Sequence, residues 1–429
     1  MLFQTNWYKF YFSKKLIFIF IMGISSGIPL YLILSTLMIW LTRESIDLST
    51  IGLFSLTQIP WSLKFLWAPF LDYFKVPVLN NFLGKRKSWL VVTQFCLVVS
   101  IILLGMNNPN EKLIYTATFA LFVAFFSATQ DIIIDAYRIE ILKHNEQGAG
   151  AAMTQAGYRV GGIIAGAGAL YFREIMEWGS VFLLLSLFIF FLMIFTIFAP
   201  AGGKEKKNYK NNSKKNIKNY LLIFTKPLSE FFKRSGFFNA ILILSFILFF
   251  KLGDVIAGVM ANPFYVKIGF SNIEIANASK VFGVFATLIG VFVGGYFVKK
   301  IGVLKSLIFA GFLQIISNLL FVILSNIGPN FVVLIITVTG ENISGGLGSA
   351  AFVAYLSVLC NIKYTATQYA LLSSIMGIAR TFLASPSGFL VNYLGWSNFF
   401  LISTIFGIPG LLILFWMQKS FPINQQVSK

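Results

Sequence analysis

The stretch VFLLLSLFIFFLMIFTIFAP, residues Val181–Pro200, contains no charged side chain. A helix of about 20 apolar residues is long enough to cross the hydrocarbon core of a bilayer. The rest of the chain has the same character, since 57% of its 429 residues are hydrophobic and only 11% are charged. Soluble domains carry about 25% charged residues. The composition therefore predicts an all-α membrane protein with many spans and argues against a water-soluble enzyme.

Outward from this stretch, polar breaks separate twelve apolar runs. The runs of the first half are Leu16–Leu41, Ile51–Phe70, Trp89–Met106, Leu113–Asp135, Ala149–Phe172 and Val181–Pro200. Those of the second half are Phe237–Val259, Val281–Val298, Leu307–Ser325, Phe331–Leu359, Gln368–Val391 and Phe399–Met417. We therefore predict twelve transmembrane helices in two six-helix bundles. The N-terminal bundle covers residues 1–200, a basic linker covers 201–235, and the C-terminal bundle covers 236–429.

The distribution of Lys and Arg predicts the orientation in the membrane. The chain has 34 basic and 15 acidic residues, a net charge of +19. If the N-terminus is cytoplasmic, 25 of the basic residues fall on the cytoplasmic side and 5 on the other side. Because cytoplasmic loops collect Lys and Arg, we predict that both termini and the linker are cytoplasmic. The same distribution argues against a nucleic-acid partner, since the charge is spread along one membrane face.

Cysteine and histidine are too few for a disulfide framework or a His-based metal site. Cys96 and Cys360 lie in or beside apolar runs, and His144 is the only histidine. Their spacing fits no metal-ligand pattern. We therefore expect no metal and no cofactor.

The two halves of the sequence share spaced residues, as expected of an internal repeat. Gln147 and Arg159 are twelve residues apart at the start and in the middle of the fifth helix, and Gln368 and Arg380 are twelve apart at the matching places of the eleventh. Basic turns also follow the second and eighth runs. These turns resemble the major facilitator pattern, in which such residues form a cytoplasmic gate. The predicted gating residues are Asp72, Lys85, Arg86, Lys299 and Lys300.

Charged side chains at membrane depth are the strongest functional signal, because they are costly there unless they are paired or hydrated. They are Lys64, Asp131, Asp135, Arg159, Lys251, Asp254, Glu341 and Arg380. Structural roles remain open for these residues. Lys251 and Asp254, three residues apart on one helix, can form a buried ion pair. Lys64 can extend along Trp61 and Trp67 towards the interface.

Several strings of sequence together resemble one known family. They are SSGIPL at Ser25–Leu30, KFLWAPFLD at Lys64–Asp72, ATQDIIIDAYR at Ala128–Arg138, GAGAA and GYR within Gly148–Arg159, KLGD at Lys251–Asp254, GENISGGLGSAAFVAYLSVLCN at Gly340–Asn361, ATQYALLSS at Ala366–Ser374 and GWSNFF at Gly395–Phe400. These strings resemble the AmpG family of anhydromuropeptide permeases, in the major facilitator superfamily. The resemblance covers residues 16–417, and the basic linker does not contribute to it.

The resemblance implies an inner-membrane importer that works by alternating access. Its cargo would be N-acetylglucosaminyl-anhydro-N-acetylmuramic acid, with or without peptide, released during cell-wall turnover. The proton gradient would drive import, and the site would lie between the two bundles near mid-membrane. We expect the protein to be a monomer in the lipid bilayer.

The chemistry of this cargo assigns roles to the candidate residues. Arginine binds carboxylates through paired hydrogen bonds, and aromatic side chains suit sugar faces. The predicted substrate-binding residues are Gly27, Gln130, Tyr158, Arg159, Lys251, Asn342 and Arg380. Since no histidine lies within a span, the predicted proton carriers are Asp131, Asp135, Asp254 and Glu341.

Three alternatives remain. A transporter of the same fold could carry another anionic cargo, such as a coenzyme A ester, a nucleotide or an oligopeptide. A membrane sensor or scaffold is disfavoured, because the charges within the spans are retained. A membrane-bound enzyme is disfavoured too, because the sequence offers no convincing nucleophile–base pair or metal cluster. Transport assays with several cargos would decide the first alternative.

Overall fold

A computed structural model of the chain describes residues 11–44, 46, 54–200, 217–271, 274–275, 277–378 and 386–420. Within these ranges all regular secondary structure is helical, which confirms the predicted all-α class. The first-half helices are α1 (Lys14–Tyr31), α2 (Met38–Arg43), α3 (Ile59–Leu63), α4 (Ala68–Tyr73), α5 (Leu79–Leu83), α6 (Lys85–Gly105), α7 (Leu113–Ile141), α8 (Gln147–Ile163), α9 (Ala169–Arg173) and α10 (Trp178–Phe198).

The second half begins with the linker helix. Its helices are α11 (Ile217–Ser235), α12 (Phe237–Phe249), α13 (Leu252–Ile268), α14 (Gly283–Ile301), α15 (Val303–Ile327), α16 (Phe331–Leu359), α17 (Thr365–Ile378) and α18 (Ser387–Ser420). Short π-helical turns join α1 to α2 over Leu32–Leu37 and α8 to α9 over Ile164–Gly168, and another, Asn277–Phe282, precedes α14. Gly395, with φ 74°, marks a break inside α18, at the predicted border between the last two spans.

Nine helical segments in the described ranges are long and apolar enough to cross a membrane. They are Lys14–Leu41, Lys85–Gly105, Leu113–Ile141, Trp178–Phe198, Phe237–Ile268, Asn277–Ile301, Val303–Ile327, Phe331–Leu359 and Leu390–Gln418. The second and fifth predicted spans are not among these nine segments. The second is divided into short helical turns around Pro60 and Pro69, and the fifth contains the charged Arg159. Residues 379–385 of the eleventh lie outside the described ranges. The number twelve therefore stays a prediction.

Glycines shape the two basic turns that the sequence pairs across the halves. Gly84 separates α5 from α6 with φ 75°, and Gly302 separates α14 from α15 with φ 84°. A positive φ costs glycine nothing, whereas a side chain with Cβ is strained there. Each turn therefore reverses within one residue and places its basic side chains at a helix end.

The described residues form two compact units. Unit 1 comprises the described parts of Met1–His144, Met153–Ser229 and Cys360–Ser374, and unit 2 comprises those of Asn145–Ala152, Glu230–Leu359 and Ile375–Lys429. Each unit has its own apolar core, with Phe182 and Leu185 fully buried in unit 1 and Phe321 and Phe400 fully buried in unit 2. The first turns of α17 thus belong to unit 1, although they lie in the second half of the sequence.

Small residues bring helix backbones together inside each unit. In unit 1, a Cβ added at Gly27 would overlap Tyr158 O, and one added at Gly157 would overlap Phe20 O, so α1 and α8 touch backbone to backbone. In unit 2, a Cβ at Gly346 would overlap Thr287 O, which fixes α14 against α16. Such close approaches at small residues are typical of membrane helices.

Candidate functional site

Asp131 lies in the middle of unit 1, on α7. Ser26 Oγ, on α1, donates a hydrogen bond of 2.6 Å to Asp131 Oδ1. Lys64, in the short turns before α4, is close enough for its charge to act on Asp131. The carboxylate therefore accepts a hydroxyl hydrogen bond and lies within electrostatic range of one lysine, so its environment can stabilise the charge without a tight ion pair.

Gln130 is fully buried among helices rather than facing an open surface. Ser25 Oγ donates to Gln130 Oε1 at 3.2 Å and accepts from Gln94 Nε2 at 3.0 Å. This chain of polar side chains joins α1, α6 and α7 inside unit 1. The position favours a packing role for Gln130, and its predicted contact with substrate stays a prediction.

Arg159 is exposed on α8, beside two tyrosines. Its Nη1 donates to Tyr31 Oη at 3.4 Å, and the Tyr31 and Tyr158 rings meet edge to face with centroids 5.9 Å apart. Gly27 lies one turn before Tyr31 and packs against the Tyr158 backbone. Unit 1 therefore brings together three predicted residues, Gly27, Tyr158 and Arg159, and adds Tyr31. The i,i+4 spacing of Gly27 and Tyr31 on one helix face was the signal available for Tyr31.

Asp135 differs from Asp131 because it is in an ion pair. Arg138 Nη2 lies 3.1 Å from Asp135 Oδ1. The Arg138 side chain is 0% exposed, and its guanidinium carbon lies 5.3 Å from the centre of the Tyr369 ring. The pair fixes the end of α7 against the start of α17.

The predicted gating residues of the first half form a buried network in unit 1. Arg86 Nη2 donates to Asp72 Oδ1 at 2.7 Å and to Glu140 Oε1 at 2.6 Å. It also donates to Thr365 Oγ1 at 2.9 Å, and Thr365 in turn donates to Glu140. Lys85 Nζ donates to the backbone oxygen of Asp72. The sequence reasoning missed Glu140 and Thr365, although Glu140 lies two residues beyond Arg138 at the end of the same helix.

Asp72 binds the first turn of α17 directly. Its Oδ2 accepts from Thr367 N at 2.8 Å and from Thr367 Oγ1 at 2.7 Å, and its Oδ1 accepts from Ala366 N at 3.3 Å. A helix N-terminus has unpaired N–H groups and a partial positive charge, so a carboxylate is favoured there. Lys299 and Lys300, by contrast, are exposed at the end of α14. The gate network in the described residues is thus built around the first-half turn.

Unit 2 holds four of the predicted site residues in two clusters. Lys251, just before α13, donates from Nζ to Ser349 Oγ at 2.7 Å and to Gly345 O at 3.2 Å, both on α16. Asp254 is hydrogen-bonded to the Asn318 side chain of α15, and the charge of Lys251 acts on it. The charge of Lys251 therefore acts on Asp254, and the same ammonium group hydrogen-bonds to α16.

The second cluster of unit 2 surrounds Glu341 on α16. Asn342 Nδ2 donates to Glu341 Oε2 at 2.9 Å, and Asn342 Oδ1 accepts from Thr287 Oγ1 at 2.7 Å. Asn342 therefore links α16 to α14 and positions the Glu341 carboxylate at the same time. The last predicted site residue, Arg380, lies outside the described residues.

Comparisons with known proteins place this arrangement in a family. The sequence profile of the Major Facilitator Superfamily matches residues 16–382. AmpG 4 of Rickettsia felis is 39% identical over 415 residues, which cover 96% of this chain and 98% of that protein. The chain belongs to the AmpG group of the major facilitator superfamily. The predicted family is thereby confirmed, as is the major facilitator fold.

Other AmpG relatives extend the match. The anhydromuropeptide permease of Escherichia coli K12 is 34% identical over 413 residues, covering 96% of this chain and 81% of that protein. Among solved structures, the proton:xylose symporter XylE shares the fold with a TM-score of 0.70 and 12% identity over 96% of each chain. The human organic anion transporter MFSD10 has a TM-score of 0.66 and 12% identity, over 96% of this chain and all of that one.

The AmpG group accounts for the general activity of the chain. Its relatives are named as transporters and permeases, so the protein is a multi-pass membrane transporter, as predicted. These names agree with transport rather than catalysis.

Proposed function

We propose that the protein imports anhydromuropeptides across the inner membrane for cell-wall recycling. The observation that supports this cargo is the 34% identity to the anhydromuropeptide permease of E. coli over 96% of the chain. The match runs from the first predicted span to the last. The similarity to that permease therefore includes both the helices that would bind the cargo and those that would move during transport.

The aromatic–arginine cluster of α1 and α8 is the proposed cargo contact in unit 1. A muropeptide offers a sugar face and carboxylates. The rings of Tyr31 and Tyr158 suit the sugar, and the exposed guanidinium of Arg159 suits a carboxylate, to which it can donate two parallel hydrogen bonds. The Tyr31 hydroxyl positions Arg159, at 3.4 Å from its Nη1. In unit 2, Lys251 and Asn342 are the proposed polar contacts.

Proton coupling is assigned to two carboxylates, one in each unit. Asp131 accepts from the neutral Ser26 hydroxyl and Asp254 from the neutral Asn318 amide, and each has one lysine within electrostatic range. A carboxylate in such surroundings responds to small changes in its neighbours, because burial and nearby charge favour opposite protonation states. Asp135 is instead fixed by Arg138, which favours a structural role.

The network around Arg86 is the proposed gate. It links α4, α6 and α7 to the first turn of α17 through Asp72, Glu140 and Thr365. Opening to the cytoplasm would require these bonds to break, since α17 cannot move away while Asp72 caps it. Lys299 and Lys300 keep their predicted gating role in the second basic turn.

Uptake into proteoliposomes tests the proposed function. Labelled anhydromuropeptide should accumulate inside when an acidic outside is imposed, and accumulation should cease when an ionophore removes the proton gradient. Parallel assays with a coenzyme A ester, a nucleotide and an oligopeptide provide the comparison. Accumulation of one of these cargos in place of the muropeptide would show that the transport mechanism is shared and the cargo assignment is wrong.

A further inference from the structure

A small cavity inside unit 2 is lined by the Asp254 carboxylate and by two amide side chains. Gln314 and Asn318 come from α15, while α18 contributes Gly407 and Leu411 to the wall. The cavity offers about 10 Å³ to the centre of a water-sized sphere. A buried water needs roughly 10–15 Å³, so the cavity accommodates one water and excludes any organic cargo.

Both amides present an unsatisfied polar atom although they are almost completely buried. Gln314 is 4% exposed and Asn318 is 2% exposed. Within the described residues, no protein atom hydrogen-bonds to Gln314 Nε2 or to Asn318 Oδ1. Buried polar atoms in native proteins are nearly always paired with protein or with ordered water. The two atoms therefore call for a small polar ligand in the cavity.

We infer that Asp254, Gln314 and Asn318 hold a single water molecule that exchanges protons with Asp254. The water accepts from Gln314 Nε2 and donates to Asn318 Oδ1 and to an Asp254 oxygen. These three hydrogen bonds are the usual number for a buried water. The inference rests on the proposed role of Asp254 as a proton carrier.

A sodium ion is the other occupant of this size, and the surrounding groups oppose it. An ion of this kind needs oxygen ligands, whereas the unpaired atom of Gln314 is Nε2, an N–H donor. Lys251 already places a positive charge near Asp254, and α18 contributes only apolar Gly407 and Leu411. These groups favour a neutral water that receives a proton only briefly. A proton carried by this water passes to an Asp254 oxygen: the O–H bond of the hydronium breaks, that of the carboxyl forms, and a neutral water remains.

The test replaces Gln314 by methionine, which has a similar length and no hydrogen-bonding amide. Two rates are measured in proteoliposomes: exchange of labelled for unlabelled anhydromuropeptide without a pH gradient, and accumulation under a pH gradient. We expect Gln314→Met to exchange cargo at a rate close to that of the wild type. Its accumulation of cargo should be at least about tenfold slower, because the water that passes protons to Asp254 is no longer held in position. Gln314→Asn keeps an amide and should retain accumulation.

The matched control is Ile316→Met, which introduces the same side chain on the exposed face of the same helix. It should leave both rates unchanged. If Gln314→Met loses exchange together with accumulation while the control keeps both, Gln314 serves only the fold and the inference is overturned. Accumulation that follows a sodium gradient instead of a pH gradient would overturn it in favour of a cation site.

Asp254→Asn separates this inference from the function on which it rests. If Asp254→Asn still accumulates cargo, the assignment of Asp254 as a proton carrier is wrong. If Asp254→Asn fails to accumulate cargo and Gln314→Met accumulates it normally, Asp254 is the proton carrier but the proposed water plays no part in transport. A high-resolution map of the wild type gives a measurement that needs no variant: density within hydrogen-bond distance of Gln314 Nε2 and Asn318 Oδ1 is expected, and its absence contradicts the inference.

Discussion

Two acids four residues apart on α7 have different partners, and this difference decides what each can do. Asp131 accepts from the neutral Ser26 hydroxyl, and Asp135 is paired with the fully buried guanidinium of Arg138. The ion pair gives Asp135 a structural contact to maintain, whereas Asp131 is held by a neutral hydroxyl. Sequence spacing placed both on one face of the helix and could not distinguish them.

Asp131→Asn should abolish accumulation driven by a pH gradient and leave cargo exchange intact. The substitution keeps the shape of the side chain and its bond with Ser26 but removes the titrating group. Both rates are measured in proteoliposomes. Normal accumulation by the Asn variant would show that Asp131 carries no proton during transport.

Asp135→Asn should instead reduce the yield of folded protein. The change leaves the Arg138 charge buried without its carboxylate, and breaking a buried pair from one side costs about 3–5 kcal/mol. Thermal unfolding of the purified variant in detergent measures the loss. Asp131→Asn is the matched control, with the same substitution one helical turn away. A normally stable Asp135→Asn that fails only in accumulation would move the proton site to Asp135.

Arg159→Ala should weaken cargo binding while the protein folds normally. Arg159 is exposed and its one described bond is a long one to Tyr31, so its loss leaves no buried group unpaired. A hydrogen bond to a charged group contributes about 1.5–3 kcal/mol, or roughly 10- to 150-fold in affinity. Arg159→Lys should recover only part of this, because lysine lacks the planar fork. Binding is measured by calorimetry, and affinity equal to the wild type would exclude Arg159 as a ligand contact.

The residues that sequence reasoning identified are those whose chemistry is unusual in a membrane. Arg159, Asp131 and Asp254 were found because charge within an apolar run is rare. Their partners Ser26 and Asn318 were missed, because uncharged polar residues are common in such runs and their spacing does not show which helix they face. A contact between distant segments is visible only once the helices are packed.

The glycines of α1 and α8 determine how closely these two helices pack. Gly157→Ala should destabilise unit 1, because the added methyl group would overlap Phe20 O and overpacking costs about 1–3 kcal/mol. Gly166→Ala is the matched control, since an added Cβ there has no neighbour within 4 Å. Thermal unfolding in detergent compares the two. Equal stability of both variants would show that α1 and α8 can separate at little cost.

The first turn of α17 is the element that the proposed gate must release. Asp72→Asn weakens its cap and removes the charge that faces Arg86. In a protein whose native cysteines are replaced, a cysteine introduced at the buried Ser374 should then react faster with a water-soluble maleimide. The control is Lys305→Gln, which removes one charge at an exposed position on α15. It should leave the labelling rate of the introduced cysteine unchanged. An unchanged labelling rate in Asp72→Asn would show that the hydrogen bonds between Asp72 and α17 do not control opening of the gate.

The lengths of the apolar runs predicted the long helices well. They failed where proline residues inside a run interrupt the helix. Leu113–Ile141 and Phe331–Leu359 fall where the hydropathy placed them. The second predicted span is instead a series of short turns, because Pro60 and Pro69 interrupt it. The basic turns were located by their Lys and Arg residues after the second and eighth runs. The contact of one such turn with α17 was beyond the reach of the sequence, since it joins residues nearly three hundred positions apart.

At the scale of the whole molecule, the charge distribution predicts the orientation in the membrane. Twenty-five of the 34 basic residues fall on one predicted side and 5 on the other. Such a bias directs the basic side to the cytoplasm. Tags near Lys210 and after Gln426 should therefore both be accessible from the cytoplasm, and a tag at Asn108 should be accessible from the opposite side. Protease protection in spheroplasts and in inverted vesicles measures this. Because Asn108 lies in the turn between α6 and α7, cytoplasmic accessibility of that tag alone would require one fewer or one more crossing before it, and the predicted order of spans would have to be redrawn.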